Sequence, residues 1–240
     1  MRLSKESPLV GVLGGMGPAA TVDFYSKLIA ATPASADQDH LRVMIWADPS
    51  VPDRSAAITG TGDDPTDSLA FGAQRLKDAG AAFYVVACNG AHAFLPEVKR
   101  RVDLEYLSMI DVTSDYIASL PYVSSAGLLA TDATLAAGLY QRTFARAGVS
   151  PVVPQPVDQH TVMEIIYAVK AGTVTASQKD ALVQVAESLV EDGADVIVAA
   201  CTEIPLALSA ESSPRPLIDP SLILANQVVQ KASAISLEGT

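Results

Sequence analysis

The feature that most constrains this chain is that it repeats itself at a spacing of 113 residues. Thr66-Asp-Ser-Leu-Ala-Phe-Gly-Ala-Gln-Arg-Leu-Lys-Asp-Ala-Gly80 leads through seven mostly apolar residues to Cys88, and Lys179-Asp-Ala-Leu-Val-Gln-Val-Ala-Glu-Ser-Leu-Val-Glu-Asp-Gly193 leads through seven more to Cys201. Asp67/Asp180, Leu69/Leu182, Leu76/Leu189, Gly80/Gly193 and Ala81/Ala194 match without a gap. Weaker echoes pair Gly11-Val-Leu-Gly-Gly-Met-Gly-Pro18 with Gly127-Leu-Leu-Ala-Thr-Asp-Ala-Thr134, and Met109-Ile-Asp111 with Leu217-Ile-Asp219. A period of this length marks two similar supersecondary assemblies rather than a short-repeat solenoid. The echoes predict one α/β lobe over residues 1–112 plus 218–240 and a second over 113–217.

Within each lobe, short Val/Ile/Leu/Ala runs alternate with stretches of helical period, the pattern of a parallel-type sheet flanked by helices. Strands are expected at 9–13, 41–47, 83–87, 106–110, 125–130, 151–153, 196–200 and 217–218. Helices are expected at 18–31, 66–79, 113–120, 133–147, 159–170, 177–192 and 221–234. Pro18 suits a first helical position, Gly80 and Gly193 suit helix C-termini, and Asp132 suits an N-cap. Residues 48–66, rich in Pro, Gly, Thr and Asp, read as a long loop, and loops of that length are often functional.

Composition removes several classes of function. The 240 residues carry 16 Lys+Arg against 27 Asp+Glu, a net charge of −11, which argues against the basic surface that a phosphate-backbone binder needs. Nucleic acid is not an expected partner. No apolar run approaches the roughly 20 residues of a membrane span, and the first residues lack the apolar core of a signal peptide. A cytoplasmic location is therefore expected, with no membrane partner. Two cysteines are too few for a disulfide framework, and in a reducing compartment they are free thiols.

Both thiols stand at the carboxyl ends of strands, where open α/β sheets receive their ligands. Two facing lobes would put a thiol on either side of a shared cleft. Inverting a stereocentre by proton transfer asks for that arrangement, because one group removes a proton from one face while another delivers a proton to the opposite face. A thiol near pKa 8.5 serves as acid or base, and a following helix N-terminus favours its thiolate. Asn89 and Thr202 follow the two cysteines and offer short polar groups to substrate. A single cysteine ending an apolar strand is usually structural; two at matching positions argue for chemistry. The glycine-rich turn at 14–17 offers backbone N–H groups to an anion, but it fits neither Gly-x-Gly-x-x-Gly nor Walker spacing.

Gly14-Gly-Met-Gly-Pro18, Cys88-Asn-Gly-Ala-His92 and Ala200-Cys-Thr-Glu-Ile204, with Trp46-Ala-Asp-Pro-Ser-Val-Pro-Asp-Arg54 and Val169-Lys-Ala-Gly172, together resemble the signature segments of the aspartate/glutamate racemase superfamily, closest to its aspartate racemase branch. The likeness covers essentially the whole chain. It implies two lobes of pseudo-twofold symmetry, racemisation without pyridoxal phosphate, metal or other cofactor, an amino-acid substrate, and commonly a homodimer. The family's catalytic cysteines map onto Cys88 and Cys201. Its carboxylate-gripping residues map onto Arg54 and Lys170, and the second lobe's substrate-holding segment maps onto Thr131 and Thr134. Gly15, Met16, Asn89, Gly90, Thr202 and Glu203 complete the expected substrate-binding set. The family usually carries Cys-Asn-Thr at the first cysteine, whereas this chain has Gly90 at the third position, which opens the choice of substrate towards broad specificity. Glu203 stands where the glutamate racemase branch has a His.

Arg54 also reads as a solvated loop charge, and Lys170 as a cation placed favourably at a helix C-terminus. His92 would lie one helical turn beyond Cys88, either tuning it or serving as a capping or core histidine. His40 and His160 have no companion at metal-ligand spacing, so no metal is expected. The resulting expectation is an amino-acid racemase with Cys88 and Cys201 as its two acid/base groups. A decarboxylase or isomerase of small dicarboxylates from the same superfamily, and a ligand-binding protein without turnover, are the alternatives. Two cysteines disfavour the decarboxylase, which needs a proton donor on only one face.

Overall fold

The computed structural model describes residues 7–238, and the chain divides into two compact units. One runs to Val112 and takes in the chain from Ser221 onward; the other is Thr113–Pro220. The first unit contains β1 (Leu9–Gly14), α1 (Pro18–Ala31), β2 (Arg42–Ala47), α2 (Arg54–Ile58), α3 (Thr66–Asp78), β3 (Phe83–Val86), α4 (Leu95–Arg101), β4 (Tyr106–Leu107) and the start of α5 (Met109–Ala118). The second contains β5 (Ser125–Leu128), α6 (Asp132–Ala136), α7 (Leu139–Ala147), β6 (Ser150–Val152), α8 (Pro156–Ala171), α9 (Ala176–Glu191), β7 (Val196–Val198) and β8 (Leu217–Ile218). Most of α10 (Pro220–Glu238) belongs to the first unit.

Each unit builds one all-parallel four-stranded sheet, in the order β2-β1-β3-β4 in the first and β6-β5-β7-β8 in the second. The register repeats as well. Gly11 pairs with Tyr84 across β1 and β3, and Gly127 pairs with Ile197 across β5 and β7. A Cβ added at Gly11 would lie 3.2 Å from Leu76 Cβ and 3.0 Å from Tyr84 Cβ, and one added at Gly127 would lie 3.1 Å from Leu189 Cβ. The missing side chain lets a leucine of α3 or α9 sit directly on its central strand, and those two leucines are partners in the sequence repeat.

Alternation along the central strands decides which face each side chain serves. Val10, Val12, Phe83 and Val85 pack with Phe24 and Leu28 of α1 and with Leu224 and Val228 of α10. Leu13, Tyr84, Val86 and Cys88 face the other way, among Leu69 and Leu76 of α3 and Leu95 and Val98 of α4. In the second unit Ile197, Ala199 and Cys201 pack with Val162, Ile165 and Ile166 of α8 and Leu182 and Leu189 of α9. Burying both faces explains why these strands are continuously apolar.

All eight expected strands are present, and several boundaries move. The 106–110 strand stops at Leu107, and Met109 already begins α5, so the echo between Met109-Ile-Asp111 and Leu217-Ile-Asp219 pairs a helix start with a strand. The helix expected over 133–147 breaks into α6 and α7 at Gly138, which adopts φ 61°. Thr131, rather than Asp132, caps α6, its hydroxyl accepting from Thr134 N–H at 3.1 Å. The 48–66 loop holds α2, capped by Asp53, whose Oδ1 accepts from Ala56 N–H at 2.8 Å. Helix α4 was not foreshadowed by the periodicity. Among the described residues, no helix is long and apolar enough to cross a membrane.

Candidate active site

The turn after β1 is stapled from two sides. Gly15 N–H donates to Thr21 Oγ1 at 2.8 Å, Thr21 Oγ1 donates to Gly17 O at 3.0 Å, and Asp48 N–H donates to Gly14 O at 3.2 Å. Gly15 holds φ 90°, and a Cβ there would lie 2.4 Å from Asp48 N, so only glycine fits. Its N–H is therefore committed to Thr21, which removes it from the backbone donors expected to receive an anion at the 14–17 turn. Met16 is buried in the same hydrophobic core as Cys88 rather than presented to solvent.

Cys88 lies two residues beyond β3 and is 8% exposed. Asn89, also buried, leads into the 3-10 turn Gly90–Ala93. Gly90 is not among the positive-φ glycines, so its backbone is one that other residues adopt. His92 fastens this turn. Its Nε2 accepts from Met109 N–H at 3.0 Å and its Nδ1 lies 2.9 Å from Cys88 O. A backbone N–H only donates, so Nε2 carries no proton, and the ring's single proton is on Nδ1, donated to the carbonyl. Burial pushes the imidazole down to about 4, against weaker upward effects of its hydrogen bonds and of Asp111. His92 is thus a neutral brace between the cysteine's backbone and α5, and its contact is with the Cys88 carbonyl.

Helix α2 packs against this same turn and begins at Arg54. The guanidinium Nη1 donates to Val51 O at 3.0 Å and Pro52 O at 2.9 Å, which organises the preceding loop. Its buried Nε has no hydrogen-bond partner among the described residues, and a buried donor in that condition calls for an explanation.

In the second unit Cys201 lies three residues beyond β7 and is 7% exposed. Its Sγ–H donates to Glu203 Oε2 at 3.0 Å, and the Thr202 hydroxyl donates to the same oxygen at 3.2 Å. Thr202 and Glu203 are themselves buried. The Cys201 thiol is pushed well up by burial first and then by the adjacent Glu203 carboxylate, while Lys170 acts in the opposite direction. Lys170 lies in the last turn of α8, exposed, with Nζ 5.7 Å from the Tyr167 ring centre. Thr131 donates its hydroxyl to Thr134 Oγ1 at 2.9 Å, so it is occupied by capping rather than directed outward.

The first unit therefore gathers Cys88, Asn89, Gly90 and the α2 end bearing Arg54; the second gathers Cys201, Thr202, Glu203 and the charge of Lys170. Sequence reasoning did not single out Tyr140 of α7. It is fully buried, hydrogen-bonded to Thr113, and close enough to Cys201 and Asp219 to feel both electrostatically, with burial keeping its phenol protonated. No local motif announces it. Among the described residues, no group of three or more His, Cys, Asp or Glu is arranged to hold a metal ion.

Comparison with known proteins agrees with this architecture. The chain is similar to the broad specificity amino-acid racemase RacX of Bacillus subtilis (strain 168), 28% identical over 226 residues that cover 92% of this chain and 96% of the relative. It is similar in structure to the aspartate racemase of Picrophilus torridus, with a TM-score of 0.81, 32% identity and 94% of each chain covered. The fold alone extends to a glutamate racemase from Francisella tularensis subsp. tularensis SCHU S4 in complex with D-glutamate, with a TM-score of 0.70, 16% identity, and 98% of this chain and 84% of that one covered. The family model for Asp/Glu/Hydantoin racemases matches residues 13–228, and with nine-tenths of the sequence inside that match, the chain belongs to this family.

Proposed function

We propose that this protein inverts the Cα centre of a free amino acid without a cofactor, using Cys88 and Cys201 as its two acid/base groups. The observation that carries the reading is the equivalence of the two thiols. Each continues the same face of its central strand, after Tyr84 and Val86 in one unit and after Ile197 and Ala199 in the other, and the two are matched in burial. Chance burial of two unrelated cysteines has no reason to reproduce both the strand and the face.

In the proposed reaction one cysteine, as thiolate, takes the Cα proton from one face, and the other, as thiol, delivers its own proton to the opposite face. Substrate thus leaves with inverted configuration and the proton inventory of the pair is unchanged. The reading requires both thiols to reach one Cα. Asn89 and Thr202 orient the substrate beside them. Arg54 supplies a charge-assisted bond to an acidic side chain through donors its own loop leaves unused, and Lys170 adds a second positive charge. Gly90, lacking a side chain next to Cys88, widens the pocket, so the substrate range extends beyond aspartate. The broad specificity of RacX and the aspartate racemase named above are the relatives that this range spans.

The test is racemisation of a panel of L- and D-amino acids in deuterated water. Loss of optical activity with solvent deuterium at Cα of the product enantiomer supports two exchanging thiols. Absence of racemisation across acidic and neutral amino acids refutes the function, and inversion with full retention of the original hydrogen refutes the two-thiol scheme.

A further inference from the structure

The sequence repeat that equates the two cysteines also equates Gly90 with Glu203, each two residues after its cysteine. One thiol therefore has a carboxylate folded back onto it and the other has a glycine at that place. We propose that Glu203 is a positioning residue that makes the two thiols unequal: its Oε2 accepts a hydrogen bond from the Cys201 thiol and holds that cysteine as the resting acid of the pair. This rests on the racemase reading for its catalytic meaning, and it moves Glu203 from the substrate-binding set to the thiol itself.

Three observations support it. The Sγ–Oε2 separation is 3.0 Å, and the same oxygen also accepts from Thr202 Oγ1, so the carboxylate is fixed by two donors. Glu203 is 4% exposed, which leaves water little part in screening it from the thiol. The remaining groups that face Cys201 cannot replace it. Lys170 of α8 opposes it, and Tyr140 of α7 is a neutral phenol, itself adjacent to Asp219 beyond β8.

A carboxylate against a thiol disfavours thiolate by repulsion and by accepting a hydrogen bond from the protonated thiol. In the direction that uses Cys201 as acid, its S–H bond breaks towards Cα and the sulfur keeps the electron pair. That turnover leaves Cys201 as thiolate and Cys88 as thiol, the state from which the opposite direction starts, so the pair alone carries the proton both ways and Glu203 sets only which of the two states is favoured at rest. The two free enantiomers have equal free energy, so kcat/KM is the same in both directions whatever Glu203 does. Steady-state rates are consequently a poor readout, and the chemical reactivity of the thiol is a direct one.

The experiment is pH-dependent alkylation of the intact protein with iodoacetamide, with carbamidomethylation at the Cys88 and Cys201 peptides quantified separately by mass spectrometry. The two cysteines are similarly buried, 8% and 7% exposed, and Cys88 serves as the internal control for folding. Glu203→Gln keeps the size and an acceptor oxygen but loses the charge. The Cys201 profile should move to lower pH by at least about one unit, seen as roughly tenfold faster modification at a fixed pH below its midpoint, with the Cys88 profile unmoved. A Cys201 profile that stays in place, with or without a raised KM for substrate, overturns the proposal. If both profiles move together the fold has been disturbed, and Glu203→Asp, which retains the charge on a shorter arm, decides: a Cys201 shift smaller than that of the Gln variant supports the proposal, and an equal one overturns it. Failure of the racemase reading would appear in the amino-acid panel and leave this result untouched.

Discussion

Replacing His92 with Phe should remove both a structural brace and a pH dependence, and the two losses can be measured separately. In the wild type the ring satisfies Met109 N–H and Cys88 O within the core. Phenylalanine fills similar space but neither accepts nor donates, which orphans two buried backbone groups at about 1–3 kcal/mol each. A destabilisation of about 2–6 kcal/mol at pH 7.5 is expected. The folded ring stays neutral down to about 4, whereas an unfolded histidine takes up its proton near 6.5. Between those values the unfolded chain binds the extra proton, so stability that is fully present above pH 6.5 is lost as pH falls towards 4. Integrating the linkage relation gives a loss attributable to His92 of about 2 kcal/mol by pH 5 and about 3 kcal/mol by pH 4. Urea unfolding followed by circular dichroism at pH 7.5 and pH 5 measures both terms. The variant should be less stable at pH 7.5 and lose about 2 kcal/mol less than the wild type on going to pH 5. Equal acid losses in the two proteins would refute the assignment of a neutral, bracing histidine.

Two further outcomes concern the substrate. Arg54→Met removes a charge-assisted bond of about 1.5–3 kcal/mol, so kcat/KM for an acidic amino acid should fall roughly 10- to 150-fold while neutral amino acids are affected less; equal losses across substrates would mean that Arg54 serves only the Val51 and Pro52 carbonyls. Gly90→Thr, at a position whose backbone accepts a side chain, should raise kcat/KM for aspartate relative to longer amino acids, and an unchanged preference measured on the same panel would withdraw Gly90 as a specificity determinant.

What was legible in the sequence was whatever depends on periodic burial. The two central strands, their facing leucines and the terminal cysteines recur at one spacing because each unit solves the same packing problem, and that recurrence carries the two-sheet α/β fold. Terms set by short-range competition were harder to read. Ser108 Oγ accepts from Asp111 N–H at 3.2 Å and so starts α5 where apolar Met109 and Ile110 suggested more strand, although a Ser followed three residues later by Asp is an N-terminal signal in its own right. Thr131 and Asp132 are both good caps, and only the three-dimensional turn selects between them. Contacts made by residues far apart in the chain were not legible at all. Nothing local to His92 indicates that its acceptor nitrogen meets Met109, and nothing local to Cys201 indicates Tyr140. Glu203 belongs to a local motif, but its closeness to the thiol depends on how the chain turns immediately after the cysteine.

The central claim is that one thiol cannot invert Cα alone. The direct measurement is Cα–H exchange and inversion in deuterated water for Cys88→Ala and Cys201→Ala beside the wild type, using the best substrate from the panel. The wild type should convert each enantiomer into the other with deuterium at Cα. Each variant should retain its circular dichroism spectrum, produce no opposite enantiomer, and at most exchange the proton of a single enantiomer with configuration kept. Racemisation near the wild-type rate in either variant would contradict the account.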